Sequence, residues 1–110
     1  MEKPEIIQKL EERDEIFSIA KINGQISNFD KFIENRSLDL IYSEGSINYD
    51  LINITHGTKI YKSKQDFYLH LFIDDKGEMC VNIYYKIKQL NELKLFITQL
   101  LKEYKKQQIN

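Results

Sequence analysis

Phe67, Leu69, Leu71 and Ile73, followed by Met79, Val81, Ile83 and Tyr85, place eight apolar side chains at odd-numbered positions on either side of Asp75-Lys76-Gly77. Alternation with a period of two, interrupted by a turn-forming triplet, is the pattern of a β-hairpin, and it constrains this chain more than any other feature. Because both arms use odd numbers, facing residues must add to an even value. A three-residue loop with Gly77 in the left-handed region selects a sum of 152. The opposite face then pairs Asp66 with Lys86, Tyr68 with Tyr84, His70 with Asn82 and Phe72 with Cys80. An opposite-charge pair and an aromatic pair falling together support that alignment.

The same period appears upstream. Leu38, Leu40 and Tyr42 lead to a turn at Glu44-Gly45 and return as Ile47, Tyr49 and Leu51, which pairs 42 with 47, 40 with 49 and 38 with 51. All six apolar side chains then share one face, and Asp39 faces Asp50. A turn at His56-Gly57 precedes a short strand around 59–62. The segment 16–22 fits two readings: Ile16, Phe17, Ile19 and Ile22 suit a strand running into an Asn23-Gly24 turn, the reading preferred, whereas Phe17 and Ala20 suit an extension of the first helix to a Gly24 cap.

Helical spacing marks three stretches. Leu90, Leu93, Ile97, Leu100 and Tyr104, widened by Phe96 and Leu101, predict an amphipathic helix over 92–107 lying across the sheet. Asn91 is its expected cap, with Leu90 and Leu95 at the staple positions. Pro4, Ile6, Ile7 and Leu10 predict a helix over 4–13, and Asn28 with Phe29, Phe32 and Ile33 a short one ending near Arg36. The expected architecture is a single α+β domain over 1–110. It has an antiparallel meander of about four to six strands, short N-terminal helices and a long C-terminal helix packed on the sheet. That order of elements is loosely similar to small secretion-chaperone and immunity-protein folds, a likeness that does not fix function.

Composition narrows the class. A chain of 110 residues with 42% hydrophobic and 30% charged residues can bury one core without disulfides or metal. No apolar run reaches the ~18 residues of a membrane span, and no basic-then-apolar leader opens the chain, so a cytoplasmic protein with no membrane partner is expected. Cys80 is the only cysteine, which excludes an intrachain disulfide and a four-ligand thiolate zinc site. Fourteen lysines against two arginines, with many isoleucines and asparagines, suggest an AT-rich microbial genome or its mobile elements. Residues 1–55 carry six basic and eleven acidic side chains, residues 56–110 ten and six.

No phosphate-binding loop, dinucleotide fingerprint, metalloprotease motif or nucleophile elbow occurs, so no cofactor, no metal and no enzymatic activity are expected. His70 and Cys80 share a predicted face but do not oppose one another. Asp39 opposite Asp50 is the one paired-carboxylate candidate, and a solvated strand pair accounts for it better than acid–base chemistry. The even-numbered face of the hairpin is too aromatic for bare solvent and too polar for a dry core.

The expected function is a non-catalytic protein-interaction domain that binds and regulates or inhibits a larger partner, in the manner of an immunity protein, an anti-defence inhibitor or an adaptor. Candidate contact residues are Tyr68, His70, Asn82, Tyr84, Asp39 and Asp50. The alternative is single-stranded nucleic-acid binding on an aromatic face flanked by Lys59, Tyr61, Lys62, Lys64, Lys86 and Lys88. Near-absence of arginine and a net charge of −1 weigh against it. Either a monomer or a homodimer fits, since the helical stripe spans only about two heptads.

Overall fold

The structure is a computed structural model that describes residues 4–20, 31–33, 36–44, 57–73 and 79–109, with backbone alone at 20, 73, 79 and 107–109. Helix α1 (Glu5–Arg13) is followed by strands β1 (Glu15–Ala20), β2 (Asp39–Glu44), β3 (Thr58–Lys62), β4 (Tyr68–Ile73) and β5 (Met79–Tyr85). A 3₁₀ turn (Ile87–Gln89) leads directly into helix α2 (Leu90–Ile109). The strands form one antiparallel sheet in the order β1-β5-β4-β3-β2.

The β4–β5 register is the expected one: Tyr68 faces Tyr84, His70 faces Asn82 and Phe72 faces Cys80. Its odd-numbered face is the core. Phe67, Leu69, Leu71, Val81 and Ile83 are fully buried beneath Leu93, Ile97, Leu100 and Tyr104 of α2. Each such side chain removed from water contributes roughly 1.5–3 kcal/mol, which makes this seam the main source of stability. Phe32 and Ile33, in the helical residues 31–33, join the same layer, with the Phe32 and Tyr104 rings 5.3 Å apart. Asn28 and Phe29 lie outside the described residues.

The even-numbered face has its own cover. Ile7 and Leu10 of α1 pack against Ile60 and Tyr84, with Ile6, Tyr42 and Tyr68 around them. The two helices therefore lie on opposite faces of the sheet. The Pro4 carbonyl accepts the Ile7 and Gln8 N–H groups at 3.0 and 3.2 Å, so the first turn of α1 closes on a residue that has no N–H of its own to satisfy. Asp14 ends the helix in an extended conformation and turns the chain straight into β1.

Several local expectations change. Tyr42 does not share a face with Leu38 and Leu40, because a register shift between Leu40 and Tyr42 inverts the alternation. Leu38 packs into the α2 layer and Tyr42 into the α1 layer. The neighbour of β2 among the described strands is β3, with Asp39 opposite Lys62; Asp50 and the return arm 47–51 lie outside the described residues, as do the turns at Asn23-Gly24, Gly45, His56 and 75–77. Asp66 belongs to the turn before β4, at φ 65°, and pairs with Lys62 at 3.4 Å rather than extending the ladder to Lys86. Asn91 lies inside the first turn of α2 rather than ahead of it. Leu95 is 74% exposed, so no staple forms.

Candidate functional site: a cleft beside the C-terminal helix

The aromatic face singled out by alternation is mostly occupied by the protein itself. Tyr84 is 1% exposed beneath α1, and burial raises its phenol above the ordinary value. Tyr68 is half-buried, with the Arg13 guanidinium 5.9 Å from its ring centre. Asn82 is half-buried and accepts a 2.8 Å hydrogen bond from Ser18 on β1. His70 is half-buried, its ring 4.9 Å from Phe72 and its Nε2 bonded to the Thr58 hydroxyl, which also reaches the Leu71 carbonyl at 3.3 Å. Its Nδ1 is buried with no hydrogen-bond partner among the described residues. Desolvation, opposed in part by the Glu11 carboxylate, lowers the imidazole pKa to about 4. The imidazole is therefore neutral at physiological pH. Asp39 is exposed at the end of β2.

The lysine-flanked residues scatter as well. Tyr61 is 3% exposed beneath α2, Lys59 and Lys62 are half-buried, and Lys64, Lys86 and Lys88 are exposed. A base-stacking platform needs bare rings, and Tyr61 and Tyr84 point to opposite faces, each under a helix. Among the described residues no three metal-ligating side chains converge, and no helix is long and apolar enough to cross a membrane.

Geometry draws attention elsewhere. An open cleft of about 830 Å³ runs along α2. One wall is α2 itself, through Glu92, Leu95, Phe96 and Gln99; a second is the chain at Arg36, Ser37 and Leu38; the third is the β3–β4 turn at Ser63, Lys64 and Gln65. Alternation could not reveal this cleft, because it lies between elements far apart in sequence. One signal was present: Leu95 falls outside the stripe formed by Leu93, Ile97, Leu100 and Tyr104, and a large apolar side chain off the core stripe of a helix points outward.

Two of the walls are held by specific bonds. In the turn, the Ser63 N–H donates to the Phe67 carbonyl at 2.8 Å and the Phe67 N–H donates to Ser63 Oγ at 3.0 Å. The Asp66 N–H donates to the Ser63 carbonyl at 3.1 Å. Asp66 takes the left-handed conformation that a short carboxylate side chain tolerates, and the Gln89 amide ties the turn to the start of α2 through the Gln65 carbonyl at 2.8 Å. Across the cleft, Arg36 lies 5.3 Å from the Phe32 ring centre and pairs with Glu103 of α2. Glu103 also accepts from Gln99 at 3.0 Å, and these partners hold its carboxylate below the usual range, the Gln99 bond foremost. Phe96, which lines the cleft, packs its ring 5.3 Å from that of the buried Phe67, and Leu100 lines the cleft from the core side. The cleft is thus preformed, mostly apolar at the base and polar at the rim, which is the general character of a recognition site.

No protein-family model, curated protein or solved structure matches the chain.

Proposed function

We propose that this chain is a non-catalytic protein-interaction domain that regulates or inhibits a larger partner, and that the cleft along α2 is where it grips that partner. The observation that carries this reading is Leu95, 74% exposed on the rim of an open cleft that also holds the half-buried Leu38 and Phe96 and the buried Leu100, with Ser37, Lys64, Gln65, Glu92 and Gln99 exposed around them. Apolar anchors in well-packed concavities supply most of the energy at protein interfaces. The absence of a catalytic motif in the sequence agrees with a binding role.

The test is a photo-crosslinking residue placed at Leu95, with a control at exposed Lys9 on α1, in the native host. A discrete protein adduct at position 95 and none at position 9 is expected, and mass spectrometry identifies the partner. Equal labelling at both positions, or none at either, defeats the proposal. Single-stranded nucleic-acid binding is a second reading, favoured by the six lysines against two glutamates in residues 86–109. It lacks accessible stacking rings at Tyr61 and Tyr84. Failure of an oligonucleotide to shift at low salt eliminates it.

A further inference from the structure

The two edges of the sheet are built differently. Strands β1 and β2 stand at the ends of the order β1-β5-β4-β3-β2, so among the described residues each has a strand on one side only. On β1 the adjacent Ile16 and Phe17 are 44% and 42% exposed. Ile16 lies opposite Tyr84 on the α1 side of the sheet and Phe17 opposite Ile83 on the α2 side, so β1 presents accessible apolar surface on both faces. Its six residues pair with β5 in unbroken register; none is a lysine or a proline, and Glu15 is its one charged residue. A flat apolar edge without bulge, proline or lysine is a template for another strand, because the N–H and C=O groups of every second residue point outward. The other edge lacks this regularity. β2 also exposes Leu40 and Ile41, but the register shift between Leu40 and Tyr42 breaks its ladder, and Asp39 and Glu44 place a carboxylate at each end.

We infer that β1 pairs antiparallel with β1 of a second copy, joining the two sheets edge to edge across a two-fold axis. Such an axis stands perpendicular to the sheet and keeps like faces together, so facing residue numbers must add to an even value. A sum of 36 sets Phe17 opposite Ile19 of the second copy on the α2 side, an aromatic–β-branched pair that occurs twice, and Ser18 opposite its own copy on the α1 side. The two Glu15 carboxylates then lie about 20 Å apart at the ends of the paired segment. A sum of 34 would press Glu15 against Ile19 instead. Closure also favours the second copy. Pairing of β1 with β2 of a neighbour would leave a free edge at each end and grow without limit, and the break in β2 opposes it, whereas β1 on β1 uses up the flat edge of both chains. The cleft is walled by the chain leading into β2, towards the other edge, so association through β1 leaves it open, and crosslinking at Leu95 succeeds or fails independently.

Sedimentation velocity of the full chain from about 1 to about 300 μM tests this. Two six-residue strands bury little area, so a monomer–dimer equilibrium with a dissociation constant of about 10 to about 100 μM is expected, with no larger species. Phe17→Lys should weaken the dimer about ten-fold or more, and Leu40→Lys should leave it unchanged. These side chains are 42% and 51% exposed, so neither change threatens the fold. Amide hydrogen exchange followed by NMR gives a reading specific to strand pairing: β5 protects alternate amides of β1 in the monomer, and the intervening ones should slow only at concentrations where the dimer forms. A chain that stays monomeric over the whole range overturns the inference, as does a dimer that survives Phe17→Lys or leaves the intervening amides fast. Open-ended growth blocked by Leu40→Lys overturns it too, by assigning the β1 edge to β2 of a neighbour.

Discussion

His70, a candidate contact residue by sequence, sits in a half-buried place that sets its protonation. Its Nε2 bonds the Thr58 hydroxyl and its Nδ1 is buried without a partner among the described residues, so protonation would create a second buried N–H that none of them receives. Burial therefore lowers the pKa to about 4, from an unfolded value near 6.5. The sign follows directly. Above about 6.5 both states are neutral and the fold is unaffected; as pH falls from about 6.5 towards about 4 only the unfolded chain takes up the proton, and stability is lost across that window. Full conversion of the shift gives about 3 kcal/mol, and partial solvation of the side chain reduces this to roughly 2 kcal/mol. Urea midpoints at pH 7 and pH 4.5 should differ accordingly in the natural protein, and His70→Phe should remove most of that difference. An unchanged pH dependence in the variant would assign the acid sensitivity to the carboxylates instead.

At the scale of elements, the register of β4 and β5 was legible because both arms alternate strictly and the loop length admits only an even sum. The core face of α2 was legible for the same kind of reason, five apolar residues at helical spacing. What alternation does not encode is which helix covers which face. Tyr68 and Tyr84 suit a wet surface or a half-dry interior equally well, since the ring is apolar and the hydroxyl polar. The cover is α1, whose Ile7 and Leu10 are 2% and 3% exposed. The inversion at β2 was equally hidden, because a single extra residue in a strand leaves no mark on its composition. Leu10→Ala should cost about 2–4 kcal/mol by opening a cavity over Tyr84, whereas Leu95→Ala should change stability by less than about 0.5 kcal/mol. Chemical denaturation of the pair separates them; similar losses would contradict the placement of Leu95 outside the core. At the end of α1, Arg13 Nε lies 2.9 Å from Asp14, whose side chain is 1% exposed. Arg13→Ala leaves that carboxylate without its charged partner, at a cost on the order of 1–3 kcal/mol.

For the whole molecule the order β1-β5-β4-β3-β2 sets a sequence of assembly. Strands β2 to β5 form a meander of successive neighbours, and α2 follows β5 and packs on the face that β4 and β5 present. These contacts close short loops. By contrast β1 joins β5 with Ser18 opposite Asn82, a pairing across 64 residues, and α1 reaches its seat over Ile60 and Tyr84 only once that face exists. Loop-closure entropy must be overcome before such distant contacts contribute, so the meander with α2 should be formed in the folding transition state while α1 and β1 dock afterwards. Leu71→Ala, at the centre of the sheet, should therefore slow folding with a φ-value of about 0.5 or more. Leu10→Ala should leave the folding rate nearly unchanged and speed unfolding by more than about ten-fold, with a φ-value below about 0.3. Chevron plots of the two variants decide the matter. A high value at Leu10 with a low one at Leu71 would mean that the N-terminal helix and the even-numbered face nucleate the fold, and that the C-terminal helix, with the cleft along it, is completed last.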